Sequence, residues 1–140
     1  MTVADLTYFE DLVQGALVES PGLTITETHI IQFQRLTGDW LTGGGGAVPD
    51  LLPLCISSGL GWRIAQPLLA VLAFLGFDWQ FLRPLSVGDT IWSRSATLSK
   101  RAMREGGIVV ESRDIVNQRD EIVQAGRLTL LVAKRPVAVA

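Results

Sequence analysis

The stretch "LLPLCISSGLGWRIAQ", residues 51–66, is apolar on nearly every side when wound as a helix. A helix without a polar face is one that a fold surrounds. Pro53 is tolerated only in the first turn, where its missing N–H removes no helical bond, so the helix should start near Asp50. Gly59 and Gly61 each cost about 1 kcal/mol of helix propensity. Close approach of a sheet to that face is the expected compensation. A buried helix of this kind needs a sheet long enough to wrap it.

The chain beyond it supplies one. "LAVLAFLGFDWQFLRPL" (69–85) is strand-like up to Pro84, and "SVGDT" turns it into "IWSRSATLSK". "REGG" then leads into "IVVESRDIVN", and "QRDE" into "IVQAGRLTLLVAK". Long strand-like runs joined by short turns make an antiparallel meander. Upstream, "YFEDLVQGALVESPGLTIT" (8–26) holds short β-prone runs around Gly15 and Pro21-Gly22. In "TETHIIQFQRLTGD" (26–39), Thr26 suits an N-cap, Ile30, Phe33 and Leu36 share one face, and Gly38 suits the position past a helix end. The fold class is therefore α+β, an antiparallel sheet wrapped around one buried central helix, with residues 1–140 forming a single domain.

Composition limits the function. Apolar residues make up 48% and charged residues 19%, which excludes a disordered chain. A net charge of −2 with scattered basic residues gives no footprint for nucleic acid. The apolar run from Leu68 to Phe77 is too short for a bilayer, which needs about 20 residues. Acids stand where a signal peptide would be basic, so a soluble, cytoplasmic protein is expected. Cys55 is the only cysteine, so no internal disulfide and no cysteine metal cluster can form; neither a metal site nor a cofactor is expected.

Three pieces in order carry a resemblance: "YFEDLVQGALVESPGLTITETHIIQFQRLTGDW", "LLPLCISSGLGWR" and "LGFDWQFLRPLSVGDTIWSRSATL". With them the chain resembles the MaoC-like dehydratases of the hot-dog superfamily. The resemblance implies a hot-dog fold and chemistry that adds or removes water across the double bond of an acyl thioester. The family motif is Asp, any residue, Asn, Pro, any residue, His, with a backbone N–H at the start of the buried helix holding the thioester oxygen. Such a reaction needs an acid/base pair and an oxyanion donor.

Laid on this chain, the motif places its Asp on Asp39 and its variable residue on Trp40, with Leu41 for Asn and Thr42 for Pro. The His position holds Gly44, and the only histidine, His29, stands on the upstream helix. The family's His-Gly before the central helix is replaced by Pro49-Asp50. "GDWLTGGGGAVPDLL" (38–52) also makes the connection shorter than the family's. It does not suit a phosphate loop, because no Gly-Lys-Ser/Thr follows the glycines and a helix, not a strand, precedes them. The glycine run reads as a bypass where a longer catalytic loop stood.

Asp39 and Asp50 are the candidate catalytic residues, with Trp40, Leu51 and Cys55 as candidate walls of the substrate site. Helix capping is the plainer role for Asp50, and a buried core thiol the plainer one for Cys55. If the two acids face each other across a pocket mouth, repulsion disfavours the doubly ionised pair, and one can serve as an acid. The expected function is an altered hot-dog enzyme, a lyase, isomerase or cyclase acting on an acyl or polyketide-like small molecule, with Asp39 as acid/base. The alternatives are a non-catalytic subunit pairing with an intact MaoC-like hydratase, and a binding protein for a hydrophobic small molecule. A homodimer is expected, since one sheet around one helix leaves an edge and an apolar flank; a hetero-oligomer with another hot-dog protein is the alternative.

Overall fold

A computed structural model describes residues 6–43, 48–64 and 67–137. In chain order the elements are β1 (Leu6–Thr7), a 3₁₀ turn (Phe9–Asp11), β2 (Leu17–Glu19), β3 (Leu23–Thr24) and α1 (Glu27–Thr37). They continue with α2 (Leu52–Leu60), a second 3₁₀ turn (Gly61–Arg63), β4 (Leu68–Leu69), β5 (Val71–Phe81), β6 (Thr90–Met103), β7 (Gly106–Asn117) and β8 (Ile122–Val132). The main sheet runs β2-β6-β7-β8-β5, with β3 pairing further along β6. Every pairing within it is antiparallel, and β6-β7-β8 is the expected meander. A separate parallel pair joins β1 to β4.

Local chemistry sets the ends of α1. Thr26 accepts from the backbone N–H of His29, while His29 Nδ1 accepts from the backbone N–H of Thr26 at 3.0 Å, closing a capping box. The sole histidine is thus a helix cap. Gly38 closes the helix at φ 75°, a left-handed conformation that glycine takes without Cβ strain. Ile30 is buried and Phe33 packs on the core, but Leu36 is 85% exposed, so the apolar face expected of α1 is narrower than its sequence.

Helix α2 lies over β6 and β7. Leu52, Pro53, Ser57 and Leu60 are buried, whereas Leu51, Cys55, Gly59 and Trp62 point outward. The helix packs on the sheet along one side, as the fold class requires, and its other side carries Leu51 and Trp62 exposed. Two expectations are corrected here. Cys55 is not a core thiol; it is exposed. No atom lies within 4 Å of a Cβ built on Gly59 or Gly61, so close approach of a sheet does not explain either glycine. Close approach does occur at Gly126 on β8, where a Cβ would fall 2.0 Å from the carbonyl oxygen of Asp78 on β5.

The inward face of the sheet carries two apolar clusters. One gathers Ile25, Ile30, Leu52, Ile91, Ile115 and Val123; the other gathers Phe9, Val109, Leu128, Leu130 and Val132. Trp79 packs against both. Among the described residues, no helix is long and apolar enough to cross a membrane.

Candidate functional site

The loop after α1 folds around the carboxylate of Asp39. Its Oδ1 accepts from the backbone N–H groups of Thr42 at 3.0 Å and Leu41 at 3.3 Å, and its Oδ2 accepts from the Thr42 hydroxyl. The Thr42 hydroxyl first, then the Thr42 N–H, hold the Asp39 carboxyl below its ordinary range, with the Leu41 N–H adding to them against a smaller opposing effect of burial. Asp39 is therefore a held carboxylate, in the proton-accepting state, with its basicity reduced by its donors.

Thr42 also joins Asp39 to the start of α2, because its Oγ1 accepts from the backbone N–H of Asp50 at 2.9 Å. The carbonyl of Asp50 accepts from Gln124 Nε2 at 2.9 Å, and Gln124 Oε1 accepts from Trp79 Nε1 at 2.8 Å. Asp50 is thus fixed by its backbone on both sides. The N-cap of α2 is Leu51, with no side-chain capping bond, so Asp50 does not take the capping role. An open cavity of about 330 Å³ lies at this end of α2, lined by Asp50, Pro53, Phe81, Leu85 and Gln124 among others.

The structure brings Asp39 and Asp50 together through Thr42, which sequence reading had only as the stand-in for a motif proline. Trp40 is 64% exposed, and Leu51 and Cys55 lie on the outward stripe of α2. Gly44, at the motif's histidine position, lies outside the described residues. Among the described residues, no group of three or more His, Cys, Asp or Glu side chains is placed to hold a metal ion.

A second cavity, about 280 Å³, opens at the other end of α2. Its walls include Leu12, Val18, Ser58, Trp62, Leu69 and Phe74. Glu111 and Arg113, adjacent inward positions on β7, also face it from between the two apolar clusters. Their side chains are only 12% and 11% exposed. Arg113 donates to Glu111 Oε1 from Nη2 at 2.6 Å and from Nε at 3.0 Å, and Nη1 reaches Ser57 Oγ at 3.4 Å. Ser57 is 1% exposed, and its hydroxyl faces this pair. These residues were missed in the sequence. The signal was there, since "VVESRDI" puts two opposite charges on the face of a strand that also carries Val109 and Ile115.

No family model and no curated protein sequence matches the chain. Solved structures do. A monoamine oxidase regulatory protein from Archaeoglobus is 30% identical, with 94% of this chain and 97% of that one covered, at a TM-score of 0.82. A MaoC-like dehydratase from Rhodospirillum rubrum is 21% identical over 94% and 99%, at a TM-score of 0.81. An R-hydratase from Pseudomonas aeruginosa is 17% identical over 95% and 96%, at a TM-score of 0.74. The last two likenesses speak for the fold alone; the first, near full length at 30% identity, speaks for kinship. By its ordered sequence pieces, its meander around a central helix and that kinship, the chain belongs to the MaoC-like family of the hot-dog superfamily.

Proposed function

We propose that this protein is a MaoC-like enzyme with altered chemistry, a lyase, isomerase or cyclase that removes a proton from an acyl or polyketide-like substrate, with the Asp39 carboxylate as the base. The observation that carries this reading is the Asp39–Thr42–Asp50 linkage. It fixes an ionised carboxylate beside the start of α2, where the family binds the thioester carbonyl. A carboxylate beside an acidic C–H is a working general base, and such groups contribute roughly 10²–10⁴-fold. Asp50, whose side chain takes no part in capping, is the second acid/base candidate.

The test is exchange of α-protons for deuterium in an acetoacetyl thioester, followed by NMR in D₂O. The protein should accelerate exchange, Asp39→Asn should reduce it by about 10²-fold or more, and Asp50→Asn should keep part of it. Hydration of a crotonyl thioester should stay near background. Exchange at the wild-type rate in both variants would remove Asp39 and Asp50 from the chemistry.

The second reading, a non-catalytic subunit of an intact MaoC-like hydratase, is supported by the outward stripe Leu51, Cys55 and Trp62 and by the exposed apolar side chains of β5. Those surfaces fit a second copy of this chain equally well, and the homodimer is the simpler arrangement.

A further inference from the structure

We infer that Gln124 is a positioning residue for the site at the start of α2: by gripping the Asp50 carbonyl it aims the Leu51 N–H at the substrate oxygen on which charge develops. This deepens the acid–base reading and rests on it. It moves the oxyanion donor off Asp50, which stands where the family has its glycine, and onto the next residue.

The backbone donors at the start of α2 are mostly spoken for. The first N–H groups of a helix have no partner within it. Here the Asp50 N–H donates to Thr42 Oγ1 at 2.9 Å, the Leu52 N–H donates to the Pro49 carbonyl at 3.1 Å, and Pro53 has no N–H. Asp50 is thus closed to a ligand for as long as Thr42 holds it. The Leu51 and Leu54 N–H groups take no acceptor among the described residues. Of these two, only the first belongs to the peptide unit whose carbonyl Gln124 holds.

That grip sets a direction. The described residues contain no cis peptide bond, and in a planar trans unit C=O and N–H point opposite ways. The Asp50 carbonyl points into the fold, to Gln124 Nε2 at 2.9 Å. The Leu51 N–H therefore points outward, to the side on which Leu51 is 47% exposed. Gln124 is itself held, because it is 4% exposed and its Oε1 accepts from Trp79 Nε1 at 2.8 Å. An amide oxygen bound to an indole N–H leaves the amide nitrogen for Asp50.

Thr42 joins this donor to the base, since its hydroxyl bonds both Asp39 and the neighbouring Asp50 N–H. When Asp39 takes the α-proton, the C–H bond breaks and its electron pair passes into the carbonyl. The thioester oxygen then carries negative charge. An N–H bonds that oxyanion more strongly than it bonds the neutral carbonyl, so it speeds the step more than it tightens binding. Return of a proton or deuteron from Asp39 to the same carbon restores the thioester and the carboxylate.

The experiment uses the full chain, the acetoacetyl thioester exchange in D₂O, and acetylacetone as a second probe whose enolate oxygen imitates the charged intermediate. Gln124→Met keeps the length of the side chain without its donor. It should lower the exchange rate at saturating thioester by about 10-fold to 10²-fold and leave half-saturation within about twofold. Leu51→Pro deletes the donor itself, where φ is already −87°, and should cost about 10²-fold. A residue that only braced the fold would lower activity with the unfolded fraction and leave the rate per folded molecule unchanged. Acetylacetone should also move the wild-type Leu51 amide proton downfield, further than that of Asp50, a measurement for which no variant has to fold. A Leu51 amide that acetylacetone does not move, or a wild-type rate per folded Gln124→Met molecule, would overturn the inference and leave Asp39 in place as the base. A wild-type protein that exchanges no α-protons yet shows the Leu51 shift would sink the acid–base reading and keep the donor where it is assigned.

Discussion

Thr42 stands where the family motif has a proline, and one hydroxyl there does two things a proline cannot. It donates to the Asp39 carboxylate and accepts the backbone N–H of Asp50. Its effect on Asp39 is readable as a titration. Thr42→Val removes the largest cause of the lowered Asp39 value and leaves the two backbone donors in place. The Asp39 carboxyl should then titrate at higher pH than in the wild type, though still below an unperturbed aspartate, as carboxyl ¹³C shifts would report; Thr42→Ser should restore the original position. An Asp39 titration unchanged in the valine variant would mean that the hydroxyl does not donate to it. The sign of the linked stability follows from the depressed value. The contribution is complete above the unfolded pKa of about 3.9 and is lost as pH falls through the lower folded value. Acid therefore loosens this loop, and neutral pH keeps it closed around an ionised Asp39.

Between elements, the start of α2 is tied to the sheet by Gln124, which is buried on β8 and bridges Trp79 Nε1 on β5 to the carbonyl of Asp50. Gln124→Ala loses two hydrogen bonds of about 0.5–1.5 kcal/mol each and strands an indole N–H, so it should cost about 2–3 kcal/mol in denaturant unfolding. Gln124→Glu keeps the acceptor for Trp79 and loses the donor to Asp50, and should fall between the two. A midpoint unchanged in the alanine variant would show that water replaces both bonds. Much at this scale was legible in the sequence. Thr26 and Gly38 bound α1, and the turns at 86–89, 104–105 and 118–121 cut the meander where expected, because caps and turns are local chemistry. Two things were not legible. The parallel β1–β4 contact is only two residues long on each side and joins segments about sixty residues apart, so nothing local announces it. The direction in which α2 faces was hidden as well, because Leu51, Cys55 and Trp62 are as apolar as the Leu52 and Leu60 that go inward. The Asp39 candidate came from motif position alone; its bond from Thr42, three residues on, and the place of the Glu111–Arg113 pair beside Ser57 needed the structure.

At the scale of the whole molecule, the chain leaves one long edge of its sheet open. Among the described residues, β5 ends the strand order, pairs only with β8, and exposes Leu72, Phe74, Leu75, Phe77 and Phe81. A long apolar edge strand is a surface that proteins cover, and a two-fold axis lets the same strand cover its copy. The chain of 15.2 kDa should therefore sediment at about twice that mass at micromolar concentration. Phe77 is 60% exposed and lies midway along β5, opposite Leu128 of β8. Burying such a side chain contributes about 1.5–3 kcal/mol, and in a symmetric pair it counts twice. Phe77→Lys forfeits about 3–6 kcal/mol per dimer and sets two like charges near the axis, which weakens the dimer by roughly 10²–10⁴-fold. The variant should run as a folded monomer at concentrations where the wild type is a dimer, with its circular dichroism unchanged because Phe77 belongs to neither core cluster. A wild-type chain that already sediments as a monomer would turn the same surface toward a different hot-dog partner. In that case Phe77→Lys should abolish capture of that partner and leave the mass of the free chain as it was.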